Sequence, residues 1–208
     1  MIIRIAQESM RPQPVRHDDA LTRLLSRRSA WPLEAPAPSD AELSQVFAAA
    51  MCAPDHGQLR PWRFVVIDGE ARHALGDAFA RSALQRDPQA DPGRFRQKAL
   101  AAPLVIAVAA QIEAEHKVPE IEQLFAVAAA AMNMLNALHL LGYGGFWGTG
   151  AVTYDRLVHD ALGLGEDQRL IGFIYVGSPR TPLRAPARPD AGPFVRRWQG
   201  PATAQRGG

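Results

Sequence analysis

Gly142-Tyr143-Gly144-Gly145-Phe146-Trp147-Gly148-Thr149-Gly150 places five glycines in nine residues, directly behind the longest apolar helical pattern in the chain. Glycine lets a backbone approach another surface with no Cβ between them, and it loses more chain entropy on folding than any other residue. A plain connector has no use for that. The stretch reads as bare main chain that meets something. A flat polar ring such as a flavin requires that kind of surface, with amides for its nitrogens and oxygens and little bulk beneath it.

The helix before the glycines is expected over about 119–141, with Pro119 at an early position and Gly142 as its stop. Its apolar character after Ala126 goes nearly all the way round, which implies burial on every side, as a central helix or at a subunit interface. Asn133, Asn136 and His139 form one polar stripe on it. Buried amides need partners, so satisfied core groups and ligand-facing groups both stand open. The apolar run 126–141 is about a turn short of the roughly 20 residues of a membrane span. No membrane is expected.

On either side of this centre lie shorter patterns. A short helix is expected through Leu21, Leu24 and Leu25, ending at Arg27-Arg28-Ser29. Ser39-Asp40-Ala41-Glu42 is a capping box that opens a helix stopped by Pro54. Residues 62–67, 104–110 and 170–176 read as buried strands. A helix follows the Asp68-Gly69 turn, 82–93 suits a surface loop or broken helix, and another helix is expected at about 154–162. From Ser178 onward periodicity disappears, as in a segment that wraps a neighbouring subunit or hangs free. Irregular spacing and low strand content favour the α+β class, a sheet flanked by many helices. No G-x-G-x-x-G follows a first strand, which argues against a dinucleotide-binding Rossmann domain.

Bulk properties exclude several classes. The chain has 208 residues, 47% hydrophobic and 21% charged, in the range of one globular domain. The expected division is an N-terminal extension (1–17), one domain (18–198) and a short tail (199–208). Net charge is only +2 and no Lys/Arg run forms a nucleic-acid arm, so no nucleic-acid partner is expected. Cys52 is the single cysteine. It requires no oxidising compartment, and 1–19 shows no signal-peptide h-region. A cytoplasmic protein is the expectation.

Arg27-Arg28-Ser29 offers two guanidiniums and a hydroxyl in succession, which suits a phosphate monoester. It equally suits a solvated basic helix end. Ala53-Pro54-Asp55-His56-Gly57-Gln58-Leu59-Arg60-Pro61-Trp62 is a polar loop between helix and strand, a usual place for ligand contacts. Asp55 and His56 offer an acid/base pair with Cys52 as nucleophile, yet neighbouring residues rarely present both side chains to one site. Cys52 reads better as a small buried hydrophobe. Glu115-His116-Lys117 with Glu120 and Glu122 matches no standard metal spacing, so a solvated surface or pocket rim is expected and no metal.

Together, Arg27-Arg28-Ser29, the Ala-Pro-Asp-His-x4-Pro-Trp stretch (53–62), His116-Lys117-Val118-Pro119 and Gly144-Gly145-Phe146-Trp147 resemble the nitroreductase family, in its compact bacterial subgroup that carries Ala-Pro-Asp-His. The resemblance covers about 21–195. It implies a central, mostly antiparallel sheet flanked by helices, an intertwined homodimer, and one FMN per site at the dimer interface. Hydride would pass from NADH or NADPH through the flavin to a nitro compound, quinone or similar acceptor in ping-pong fashion, with no catalytic residue besides the cofactor. By position, Arg27, Arg28 and Ser29 would hold the FMN phosphate and ribityl chain. Cys52 and His56 fall at flavin-contacting positions, and Trp147, Gly148 and Thr149 would flank the ring. Ala137, Leu138, His139, Leu140, Leu141 and Gly142 match a region assigned to the nicotinamide nucleotide. The positions of Cys52 and Gly148 are often Arg in the subgroup, so two cations near the flavin are missing here.

Other readings stand beside this one. A specialised enzyme on the same scaffold (dehalogenase-like or biosynthetic), a hydrolase using Cys52, His56 and Asp55, and an FMN-binding sensor without turnover are each compatible with the motifs.

Overall fold

In chain order the elements are α1 (His17–Ser26), β1 (Leu33–Glu34), α2 (Asp40–Ala50), β2 (Trp62–Asp68), α3 (Ala71–Arg86), α4 (Pro92–Ala99), β3 (Leu104–Gln111), α5 (Glu120–Leu140), β4 (Gly144–Gly148), α6 (Arg156–Ala161) and β5 (Gln168–Pro179). The structure, a computed structural model, describes residues 17–181 and 185–200. Apart from His17, Gln199 and Gly200, the expected extension and tail lie outside the described residues.

Local chemistry sets the helix starts. Ser39 accepts from the Glu42 amide at 3.4 Å while the Glu42 carboxylate accepts from the Ser39 amide at 2.8 Å, the expected capping box. Asp91, with Pro92 behind it, caps α4, and Asp155 caps α6 through the Leu157 amide. The Ser39 hydroxyl also donates to the Glu42 carboxylate at 2.7 Å, and this bond, with that from the Ser39 amide and one from the Tyr143 hydroxyl, holds the Glu42 carboxyl below the usual carboxylate range. A carboxyl lowered by folding stabilises above its ordinary range and loses that contribution as pH falls through its folded value. Ser39→Ala should therefore lower the melting temperature more at pH 7 than at pH 3; equal losses at both would count against the coupling.

All strand pairings are antiparallel, in the order β1-β5-β3-β2, with β4 also paired to β5. The α+β expectation holds. β3 lies enclosed, and its side chains alternate between two cores. Leu104, Ile106, Val108 and Ala110 meet α2 and α5 on one face. Val105, Ala107 and Ala109 meet Leu75, Phe79, Val158 and Phe173 on the other. Phe79 and Phe173 stack edge-on at 5.1 Å.

At four places the structure adds to or corrects the expectations. The middle of the glycine stretch, Gly144–Gly148, is itself a strand, β4, which the expected strands did not include. In 82–93 the broken-helix alternative is found: α3 continues through Ser82, which finds a polar partner at Asp155, to Arg86, and α4 starts at Pro92. Cys52 is exposed, not buried. Within one chain α5 leaves Ile121, Phe125, Met132 and Leu140 exposed, Phe125 by 61%, so of the two expected forms of full burial the central helix is not met and the subunit interface stays open. By length and composition alone α5 is apolar enough to cross a membrane, but here it is the core helix packed on the sheet.

Candidate functional site

The last turn of α5 gathers the first group of motif residues. Arg23 donates to the Leu140 carbonyl at 2.5 Å, and the His139 Nε2 lies 2.9 Å from Ser26 Oγ and 2.8 Å from the Arg23 carbonyl. These bonds clamp α1 to α5 and fix where Arg27, Arg28 and Ser29 emerge. The Ala30 amide then donates to the Gly145 carbonyl at 3.1 Å, joining the segment to β4. Trp31 follows, with its ring 5.1 Å from Phe146 and 5.5 Å from Tyr175.

Arg27 is half-buried, and its neighbouring charge is another cation. Arg188 donates to the Arg27 carbonyl, and burial together with Arg188 holds the Arg27 guanidinium below its ordinary pKa. Among the described residues no carboxylate comes within ion-pair distance of Arg27, Arg28 or Arg188. Cations gathered without a counter-charge form a site for an anion.

Tyr175 connects this corner to a cavity of about 370 Å³ lined also by Gly148, Thr149, Gly150, Arg86 and Lys98. Burial pushes the Tyr175 phenol up to about 12, so it stays protonated at ordinary pH. The Lys98 ammonium stands 4.6 Å above the Phe95 ring. The Trp147 ring lies on the opposite face of the sheet, packed toward α5 over Gly172, and its Nε1 is buried without a hydrogen-bond partner among the described residues. A larger groove of about 530 Å³ between β2, α3 and α6 contains none of the motif residues.

The glycines divide by role, which corrects the reading of the stretch as one bare surface. Gly142, at φ +92°, ends α5. A Cβ at Gly144 would fall 2.4 Å from Leu33, and one at Gly145 would fall 2.8 Å from Leu135. Those two glycines let β4 press against its own chain. Gly150, at φ +133° with nothing within 4 Å of its would-be Cβ, is the one on the cavity that leaves its backbone open.

Cys52 and His56 lie elsewhere. Their loop bends through left-handed Gly57, Gln58 and Arg60, with Asp55 accepting from the Arg60 amide at 2.7 Å. Non-glycine residues held at positive φ cost energy and concentrate in ligand-binding loops. The His56 Nδ1 meets Glu122 at 2.5 Å, in the first turn of α5. Since α5 has 21 residues, the two motif groups are separated by a helix about 30 Å long. The chain does not bring them together. Nor does it assemble a hydrolytic trio, for Cys52 Sγ is turned to the Ala48 carbonyl and Asp55 is occupied by its own loop.

Along 137–142, Leu138 is fully enclosed and the His139 ring is bound to α1, which settles His139 as a satisfied group. Asn136 Oδ1 is buried without a partner. Leu140 and Gly142 reach the surface. Lys98 and Arg188 join the site although no sequence motif marks them; only the fold carries them there. Among the described residues no His/Cys/Asp/Glu cluster of metal-binding form occurs.

Comparison with known proteins gives consistent results. A sequence profile of the nitroreductase family matches residues 24–178. The Escherichia coli (strain K12) protein named "Putative NAD(P)H nitroreductase YdjA" is 38% identical over 181 residues, covering 85% of this chain and 98% of the relative. Among solved structures, the nitroreductase-like family protein from Bacillus cereus has a TM-score of 0.78 at 23% identity, covering 87% of this chain and 96% of that one. A variant of the FMN and NADPH-dependent nitroreductase NfnB from Sphigopyxis sp. strain HMH has a TM-score of 0.69 at 22% identity, covering 87% and 99%.

Proposed function

The chain belongs to the nitroreductase family, and from that premise we propose that it passes hydride from NADH or NADPH, through FMN, to a nitro compound, quinone or related acceptor by a ping-pong mechanism. The observation that carries this reading is the grouping of Arg27, Arg28 and Arg188 without a counter-charge among the described residues, on the segment that Ala30 ties to β4 and that Trp31 links through Tyr175 to the Gly148–Gly150 cavity. When bound, the flavin supplies the electron chemistry, and the protein supplies position and charge.

The residues present suit that group. Arg27, Arg28, Ser29 and Arg188 would hold the phosphate. Trp147, Gly148 and Thr149 would flank the ring, the last two from the cavity wall. Lys98 supplies a cation on the same cavity, in part replacing those missing at Cys52 and Gly148. Negative charge placed on the ring is favoured by a fixed cation in a partly enclosed site. Of the run 137–142, Leu140 and Gly142 offer the outer contacts proposed for the nicotinamide nucleotide.

Cys52 and His56 complete the site from a second copy, because a helix about 30 Å long keeps them from their own Arg27. The homodimer has a ready surface. Ile121, Phe125 and Met132 on α5, Leu21 and Leu25 on α1, and Phe194, Val195 and Trp198 of the C-terminal segment are all exposed, the last three by 70–78%. Exposed apolar area of that extent marks an interface. We keep 18–198 as one domain in this assembly, within the cytoplasm.

Purified protein should sediment as a dimer and show flavin absorption that bleaches with NADPH and returns with a nitroaromatic or quinone. A colourless monomer that ignores added FMN would overturn the reading. A coloured dimer that NAD(P)H cannot reduce would favour a sensor. Cys52, open to maleimide in the single chain, should label several-fold more slowly once FMN is bound; an unchanged rate would remove it from the site.

A further inference from the structure

Ser82 is fully enclosed on the apolar face of α3, where a lone hydroxyl is costly. Its Oγ donates to Asp155 Oδ2. Arg86, one turn later, donates to Ser82 Oγ at 2.7 Å and to the same Asp155 oxygen at 3.1 Å. The other Asp155 oxygen caps α6 through the Leu157 amide at 3.0 Å. The three side chains close a triangle, and Arg86 also lines the cavity beside Gly148–Gly150.

Between that cavity wall and Asp155 the chain makes a single 3-10 turn, Ala151–Tyr154, entered through left-handed Gly150. The wall is held on one side by the Gly148–Phe173 strand pairing. On the other side it is held by Asp155, and by His159 against the Thr153 carbonyl at 2.8 Å. Glycine at the entry gives the wall no stiffness of its own. Its position is set from both ends, and the Asp155 end depends on α3.

We propose that Ser82 and Arg86 are positioning residues which, acting through Asp155, hold the Thr149–Gly150 backbone where it meets the flavin. The inference rests on the cofactor reading above. Neither residue touches a reacting atom. Their effect is on how tightly and in what orientation the ring is held, since fixed donors bind best when they need no rearrangement.

The test compares wild type, Ser82→Ala, Arg86→Met and Arg86→Lys as apo dimers titrated with FMN, followed by flavin fluorescence and by visible circular dichroism of the bound ring. Ser82→Ala and Arg86→Met should raise the dissociation constant about tenfold and change the dichroism, while Arg86→Lys restores most of both. Variants that melt earlier but bind FMN with wild-type affinity and dichroism would overturn the inference, leaving the triangle as a clamp of the fold only. If Ser82→Ala yields no folded protein, Arg86→Met decides by the same two outcomes. Wild type that takes up no FMN overturns the cofactor reading and this inference with it, whereas equal binding by all four overturns this inference alone.

Discussion

Arg27→Ala will weaken FMN binding by roughly 10- to 100-fold, the effect of losing one or more charge-assisted hydrogen bonds at about 1.5–3 kcal/mol. The apo protein should behave in the opposite sense. Arg27 lies half-buried against Arg188 with no carboxylate in reach among the described residues, and its ordinary pKa is lowered by that burial and that neighbour. Its charge is therefore held at a cost until an anion arrives. Removing it relieves repulsion, so the apo melting temperature should hold or rise while affinity falls. Guanidinium stays charged through the working pH range, so the loss should not depend on pH between 6 and 9. Equilibrium titration with FMN and thermal melts of the apo protein read the two effects separately. A variant purified as yellow as wild type would remove Arg27 from the phosphate site.

Gly172→Ala is the second large effect, and it acts through the fold. Gly172 sits on β5 at φ +147°, opposite Val108 where the β3–β5 register shifts. A Cβ there would fall 2.3 Å from Trp147 Nε1 and 2.9 Å from the Gly148 carbonyl. The indole is a side chain that can turn aside, but the carbonyl belongs to the paired strand. Overpacking and a strained backbone each cost about 1–3 kcal/mol. Together that is a large share of a marginal total of about 5–15 kcal/mol. At roughly 2–4 °C per kcal/mol for a chain of this size, the melting temperature should drop by about 10 °C or more. Adding Trp147→Phe relieves the indole clash and leaves the carbonyl clash, so it should recover part of the loss. Denaturant unfolding of wild type and the two variants checks this; a stable single variant would mean that β4 shifts freely, against the close packing described.

What the sequence disclosed was mostly local. The strands at 62–67 and 104–110 came out within a residue of their true bounds because each is a largely apolar run closed by proline, glycine or a turn, whereas β5 extends beyond 170–176 at both ends, through polar residues that only pairing keeps in the sheet. The capping box at Ser39 needs only residues three apart. β4 escaped because glycine has poor strand propensity, and its identity comes from pairing with β5 far along the chain. The reach of α3 escaped for a similar reason, since the partner that satisfies Ser82 is 73 residues away. In the site, the Arg27 motif was legible as a cluster of like charges. Lys98 and Arg188 were not, for each stands in an unremarkable basic stretch and gains meaning only beside Gly148–Gly150 or Arg27. Cys52 was judged by residue type, which favours burial, whereas its place at the end of α2 leaves it in the open.

The length of α5 has a consequence for inheritance and for engineering. On the proposed assembly, each polypeptide owns the phosphate end of one reaction centre and the His56 end of the other. A population of mixed pairs, one chain spoiled at Arg27 and the other at His56, would contain one centre with both faults and one with neither. Two inactive alleles would then rescue each other when expressed together, and neither would do so alone.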